Sequence, residues 1–136
     1  MALSRPRSSP TIITAVCEAA DIVGKFVYVR GDRVGNYYDV RTADPHAEAK
    51  MPAMGLIVSK LSTTLCRVQL SGEAKGFFTG LHPGKHVFVA ADGGATQTPL
   101  TPPVGGFVFH QGPAVALAAD TVMLFGSSIP LAKRIG

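Results

Sequence analysis

Residues 72–125 read GEAKGFFTGLHPGKHVFVAADGGATQTPLTPPVGGFVFHQGPAVALAADTVMLF, and this stretch decides the fold class of the chain. Short apolar runs alternate with clusters of glycine, proline and aspartate. The runs cover residues 87–89, 107–109, 115–117 and 122–124. The breaks fall at Gly80, Pro83-Gly84, Gly93-Gly94, Pro102-Pro103, Gly105-Gly106 and Gly112-Pro113. This rhythm is typical of short strands joined by tight turns, so it predicts an all-β domain, a small β-sandwich or a barrel-like fold.

Upstream of this stretch, five further segments have strand character. They are residues 11–20, 25–30, 34–40, 55–60 and 63–70. The first also suits a helix face, but its β-branched residues favour a strand. The second and third predict a hairpin that turns at residues 31–33. In the last segment, Cys66 and Val68 share an apolar face, and Arg67 and Gln69 share a face expected to be wet.

The polar segment 41–52 is open to two interpretations. Pro45 suits the first turn of a short helix with Asp44 as its cap. Otherwise the segment is a long surface loop. In either case it joins two strands of one domain.

The chain length of 136 residues fits one domain, which needs no disulfide or metal to build its core. We predict three parts: an extended N-terminal arm (residues 1–10), a single β domain (residues 11–126) and a C-terminal arm (residues 127–136). The N-terminal arm contains Pro6 and Pro10, which oppose a helix, and few apolar side chains.

The charge content constrains the partners. Charged residues are 16% of the chain, whereas ordinary soluble domains carry about 25%. A surface so poor in charge predicts burial against other copies or other chains. The net charge is +4, but the thirteen lysines and arginines are scattered and tryptophan is absent. We therefore expect no direct nucleic-acid binding.

Two further features bear on location and redox state. No run approaches the ~18 apolar residues of a membrane span, and the basic N-terminus is not followed by a signal-peptide core, so we expect an intracellular product that binds no membrane. Cys17 and Cys66 lie in apolar runs without a CxxC spacing, which favours two buried free thiols. A disulfide would require the two strands to be neighbours.

The residues with catalytic or metal-binding chemistry form no convincing site. His82 and His86 have helical ligand spacing, but Pro83-Gly84 between them opposes a helix. Asp44, His46 and Glu48 alternate within a proline-containing segment, and His110 stands apart. The chain has neither GxSxG nor SxxK, and its glycine pairs lack the Lys-Ser/Thr of a P-loop. We expect no enzyme activity, no metal and no cofactor.

A set of motifs resembles a module of tailed-bacteriophage virion structural proteins. The matching motifs are Met51-Pro52-Ala53-Met54-Gly55, residues 68–73, Gly80-Leu81-x-Pro83-Gly84-Lys85-x-x-Phe88-x-Ala90, Gly93-Gly94, Thr98-Pro99 through Pro102-Pro103, Gly106-Phe107-Val108 and Gly112-x-Ala114. They extend from Met51 to Phe125, a little over half of the chain. The chain departs from the pattern at His82, at His86 and in its basic N-terminal tail.

The resemblance implies a structural role in the virion, usually as a homotrimer. A small standalone domain with short arms suits a capsid decoration (cement) or head-fibre protein whose partner is the major capsid protein. Such a protein is made in the host cytoplasm and ends on the capsid exterior. Four basic residues of the two arms are the expected capsid-binding side chains, because capsid exteriors are often acidic. They are Arg5, Arg7, Lys133 and Arg134.

Two alternatives stay open at this point. The same module occurs in tail-fibre and baseplate proteins, so a tail location is the first. The second is a glycan-binding receptor domain in which Tyr37, Tyr38, Asp39 and Asp44 contact sugar.

Overall fold

The computed structural model describes residues 10–125 and 131–136, and within them the chain is all-β, as predicted. The strands are β1 (Thr11–Val16), β2 (Phe26–Val29), β3 (Tyr38–Thr42), β4 (Gly55–Lys60), β5 (Leu65–Lys75), β6 (His86–Val89), β7 (Ala95–Thr96), β8 (Phe107–Gln111), β9 (Ala114–Ala118), β10 (Thr121–Phe125) and β11 (Leu131–Ile135). The described residues contain no α-helix, only a short 3-10 helix at Glu48–Lys50.

The first five strands close into a barrel. Their order is β1-β3-β2-β4-β5, and β5 pairs back onto β1. The β1–β3 pair is parallel and the other four pairs are antiparallel. One buried cluster contains Cys17 and inward-facing residues of all five strands. The strand residues are Ala15, Val27, Val40, Ile57, Cys66 and Val68. The barrel-like prediction is therefore confirmed.

Strand β5 continues out of the barrel and starts the second half of the sheet. Its end, Ser71–Lys75, pairs with β10, and the order continues through β9 and β6 to β7. At the change of direction Gly72 has φ +94°, and a Cβ there would lie 2.9 Å from the Cα of Pro10. Gln69 is only 4% exposed, so the prediction that its side chain faces solvent is wrong. Its side-chain amide instead donates to the carbonyls of Ser71 (3.2 Å) and Glu73 (2.9 Å), which secures the bend.

A second core lies between the barrel wall and this half of the sheet. Alternate residues of β2 serve the two cores: Val27 packs inside the barrel, whereas Phe26 and Tyr28 belong to the second cluster. The other members of the second cluster are Ala43, Ala53, Leu56, Ala74, Val87, Val89, Ala114, Ala116, Val122 and Leu124. The period-2 alternation predicted for residues 25–30 is thus confirmed. Phe26, Val27 and Tyr28 are buried on both faces of the strand, whereas Val29 is exposed.

Strands β8 and β11 form a separate two-stranded antiparallel ribbon. Residues 127–130 of the predicted C-terminal arm lie outside the described residues, and residues 131–135 of it are strand β11. Of the predicted N-terminal arm, only Pro10 is described. The segment 41–52 is mainly a loop, in which the Asp44 carboxylate accepts a hydrogen bond from the His46 N–H at 2.9 Å.

Candidate functional site

Two of the four predicted capsid-binding residues lie on the ribbon. Lys133 and Arg134 belong to β11, whereas Arg5 and Arg7 lie outside the described residues. Residues 132–135 are all exposed, so this strand contributes none of these four side chains to either core. Strand β11 pairs with β8 along one side, and within the described residues its other side has no strand partner.

Strand β8 anchors the ribbon to the domain. The buried Gln111 amide accepts a hydrogen bond from the Ala53 N–H (2.7 Å) and donates one to the Ala53 carbonyl (2.8 Å). The Phe109 N–H donates to the Pro45 carbonyl at 2.7 Å, and Val108 is fully buried. The ribbon is therefore fixed on the 43–54 loop by backbone groups and an amide side chain, which leaves β11 facing outwards.

The two basic residues of β11 differ in their surroundings. The Lys133 ammonium lies 4.6 Å from the centre of the Phe107 ring and 3.9 Å from Glu48 Oε2. Both lysine and glutamate side chains are well exposed, so this ion pair contributes little to stability. Arg134 makes no ion pair within the described residues, so its guanidinium is available to another molecule.

Two exposed apolar side chains lie at the same end of the ribbon. Val104 is fully exposed (103%) and Ile135 is 78% exposed. The turn that carries Val104 contacts the end of β11, because the Gly136 N–H donates to the Gly106 carbonyl at 2.9 Å. We call Val104, Lys133, Arg134 and Ile135 the ribbon tip. Sequence reasoning did not single out the two apolar residues, although a lone valine between Pro102-Pro103 and Gly105-Gly106 is a recognisable signal.

The residues suggested for sugar binding are mostly engaged within the chain. The Arg33 guanidinium lies 4.5 Å from the centre of the Tyr38 ring and donates to the Tyr38 hydroxyl at 2.9 Å. Asp39 is buried and paired with Arg41. Tyr37 remains 41% exposed at the hairpin turn. The structure therefore gathers no open group of these side chains on one surface.

The histidines do not converge either. Within residues 10–125 and 131–136, no three His, Cys, Asp or Glu side chains are placed to hold a metal ion. His86 and His110 lie on two sides of Phe88, with ring centres 6.2 Å from its ring centre in each case. Their main contact is therefore aromatic packing between β6 and β8.

The two cysteines are free and buried: Cys66 lies on β5, and Cys17 directly follows β1, which pairs with β5. Cys66 lies opposite Ala15 on β1, and the Cys17 N–H donates to the Thr64 carbonyl at 3.0 Å, which makes the cysteines a diagonal pair on one face. Burial, and then a hydrogen bond with Cys17, raises the pKa of the Cys66 thiol to about 12. The Lys60 ammonium lies 3.1 Å from Cys17 Sγ and donates to the carbonyls of Glu18 (2.8 Å) and Asp21 (2.7 Å). This arrangement closes one end of the barrel.

Two comparisons of the sequence with known proteins found no relative. No protein-family model matches this chain, and no curated protein matches its sequence. None of the described residues belongs to a helix that is long and apolar enough to span a membrane.

Proposed function

We propose that this chain is a phage capsid decoration (cement) protein. It is a homotrimer that binds the major capsid protein on the outside of the shell and stabilises the shell without catalysing a reaction. It is made in the host cytoplasm and acts on the virion. The resemblance of residues 51–125 to virion modules supports the class of protein, and the ribbon supports the mode of binding.

The ribbon tip is the feature of the structure that gives the strongest support for shell binding. An edge strand whose exposed side chains are basic and apolar fits a larger surface that is acidic and partly apolar. An unpaired strand edge also offers N–H and C=O groups to a partner strand. Because the anchoring is done by β8, β11 is free to contact the shell without disturbing either core.

The broader surface supports assembly as well. Within the described residues, twelve large hydrophobic side chains are exposed, and four of them lie on β2, β3 and the hairpin between them: Val29, Val34, Tyr37 and Tyr38. Contacts between copies would remove such side chains from water. A trimer multiplies the number of ribbon tips per particle, which raises the avidity for a repeating shell.

Shell stabilisation follows from mass action. A protein that binds the mature shell and not its dissociated subunits shifts the equilibrium towards the shell by an amount that grows with its concentration. The net charge of +4 assists the encounter with an acidic exterior at low salt.

Co-sedimentation with shells of the phage that encodes the chain tests the proposal. We expect the wild-type protein to pellet with shells and to raise their temperature of disruption. The double variant Lys133→Glu/Arg134→Glu should bind at least tenfold more weakly, because it reverses two charges on the ribbon tip. Lys75→Glu/Lys85→Glu, which makes the same charge change at exposed positions elsewhere, is the matched control. Equal binding by both double variants would show that the ribbon tip is not the shell-binding surface. No binding by the wild type would refute the decoration role.

Immunogold labelling of intact virions separates the head location from the tail-fibre or baseplate alternative. Label distributed over the head supports decoration of the capsid. Label confined to the tail or baseplate assigns the same module to a tail structure and overturns the decoration proposal.

A further inference from the structure

A polar cavity lies where the barrel meets the loops around it. Its volume is about 300 Å³, and it is lined by residues of the segment after β1, by residues in and next to β2 and β3, by Lys50 of the 3-10 helix and by the loop residue Asp92. A cavity of this size is at the lower end of the range for small-molecule sites. Neither the resemblance nor the proposed role on the shell makes use of it.

Positive charge in the cavity wall exceeds negative charge by one, because three acidic residues, Glu18, Asp21 and Asp92, also line it. Four basic residues line it: Lys25, Arg30, Arg41 and Lys50. Lys25 is paired with Asp92 at 3.1 Å. Lys50 makes no ion pair within the described residues. Arg30 lies at 4.0 Å from Asp39, and its side chain is 56% exposed, so that pair is weak.

The acidic residue deepest in the wall is already satisfied. Asp21 is 5% exposed, and its carboxylate accepts hydrogen bonds from the Glu18 N–H (2.8 Å), the Thr42 N–H (2.8 Å) and the Thr42 hydroxyl (2.6 Å). These three donors occupy most of the acceptor sites of the carboxylate. Asp21 therefore stabilises the loop and has little capacity left to bind a cation in the cavity.

Two donors in the wall make no hydrogen bond of good geometry within the described residues. Tyr28 is only 7% exposed and lines the cavity, and its hydroxyl has no hydrogen-bond partner there, so this hydroxyl can bond to a molecule in the cavity. The Nε–H of Arg41 is also buried and without a hydrogen bond of good geometry, although Glu18 Oε1 lies 3.0 Å from the nitrogen. The cavity thus offers the Tyr28 hydroxyl beside Lys50, which has no ion pair within the described residues, and Arg30, whose ion pair is weak, whereas the Arg41 guanidinium is already held by Asp39 and Glu18.

We propose that this cavity binds a small oxyanion, a phosphate or carboxylate group, held by Lys50, Arg30 and the Tyr28 hydroxyl. Charge-assisted hydrogen bonds to several donors are the usual means of holding such a group. The inference goes beyond the role on the shell and stands or falls separately from it, since it uses none of the ribbon-tip residues.

Titration of the isotopically labelled full chain, monitored by NMR, tests the inference with four probes: inorganic phosphate, glycerol phosphate, a short glutamate-containing peptide and, as the uncharged control, glycerol. We expect saturable shifts of the backbone amides of Thr42 and Lys50 with the three anionic probes and none with glycerol. Tighter binding of glycerol phosphate assigns the site to free phosphate esters. Tighter binding of the peptide assigns it to an acidic side chain of a partner protein.

Two variants sharpen the test. Tyr28→Phe removes one hydroxyl and keeps the ring in the core, and Lys50→Met removes one exposed cation. Each should weaken phosphate binding about tenfold, which is the effect of losing about 1.4 kcal/mol. Lys85→Met removes the same charge outside the cavity and should change the affinity less than twofold. If no anionic probe saturates, or if Lys50→Met and Lys85→Met have equal effects, the inference is wrong. Because Lys50 is exposed, its variant keeps the test decisive even if Tyr28→Phe perturbs folding.

Discussion

Among the single residues, Gly93 lies at a position where the fold permits only glycine. Its φ is +84°, and a Cβ there would overlap Thr42 Cγ2 and lie 3.0 Å from the Ala43 carbonyl oxygen. Its own carbonyl accepts a hydrogen bond from the Phe26 N–H at 2.7 Å. The residue therefore joins the β6–β7 turn to the barrel at a point where backbones approach closely.

Gly93→Ala should lower the free energy of unfolding by about 2–4 kcal/mol, because strain at positive φ adds to the steric overlap. Gly35→Ala is the matched control: Gly35 also has positive φ (+62°), but nothing lies within 4 Å of its Cβ position. The control should lose only about 1–2 kcal/mol. Urea unfolding of both variants measures the difference, and equal losses would show that crowding at Gly93 is unimportant.

The Cys66 thiol makes stability depend on alkaline pH. Its pKa is about 12 in the folded chain, against 9.0 for an unburied thiol. Above pH 9 the unfolded chain loses this proton and the folded chain keeps it, so the stabilising contribution is complete below pH 9 and declines as the pH rises towards 12. Urea midpoints of the wild type at pH 8, 9 and 10 should therefore fall more steeply than those of Cys66→Ala. Parallel profiles would contradict this assignment.

At the scale of elements, the β8–β11 ribbon depends on a few polar contacts. The Gln111 side chain satisfies both backbone groups of Ala53, and all four groups are buried. Buried polar groups that lose their partners each cost about 1–3 kcal/mol. The position of β11, and with it the ribbon tip, thus depends on one amide side chain of the neighbouring strand in addition to the backbone contact of Phe109 with Pro45.

Gln111→Leu should destabilise the protein by about 2–4 kcal/mol and increase hydrogen exchange in β8 and β11, because it leaves the Ala53 N–H and carbonyl unpaired. Gln97→Leu is the matched control, since Gln97 makes the same double contact with the His82 N–H (2.7 Å) and carbonyl (2.9 Å), but in a solvent-exposed position. Water replaces these bonds, so the control should change stability by less than about 1 kcal/mol. Similar losses in both variants would argue against burial as the cause.

For the whole molecule, the proposed role requires that three copies of the chain assemble. One chain has a mass of 14.2 kDa, so three copies give a particle of about 43 kDa. Sedimentation equilibrium should give this mass at micromolar concentration. A mass of one chain would remove the avidity on which shell binding is proposed to depend, and with it the homotrimer.

The N-terminal arm is expected to contribute to shell binding and not to the trimer. Removing residues 1–9, which include Arg5 and Arg7, should abolish co-sedimentation with shells, while the number of chains in the native particle stays unchanged. Pro10 is kept because it packs against Gly72. Normal shell binding by the shortened protein would show that the arm plays no part.

The sequence alone predicted the all-β class and the approximate place of most strands, because the period-2 alternation and the glycine and proline breaks are local properties of the chain. It also placed Lys133 and Arg134 as candidate contacts. The three-dimensional fold alone shows that residues 131–135 pair with β8, that Gln69 and Tyr28 are buried, and that basic residues next to β2, in β3 and in the 3-10 helix line one cavity. These features depend on which distant segments become neighbours when the barrel closes, and no local pattern of side chains encodes that pairing.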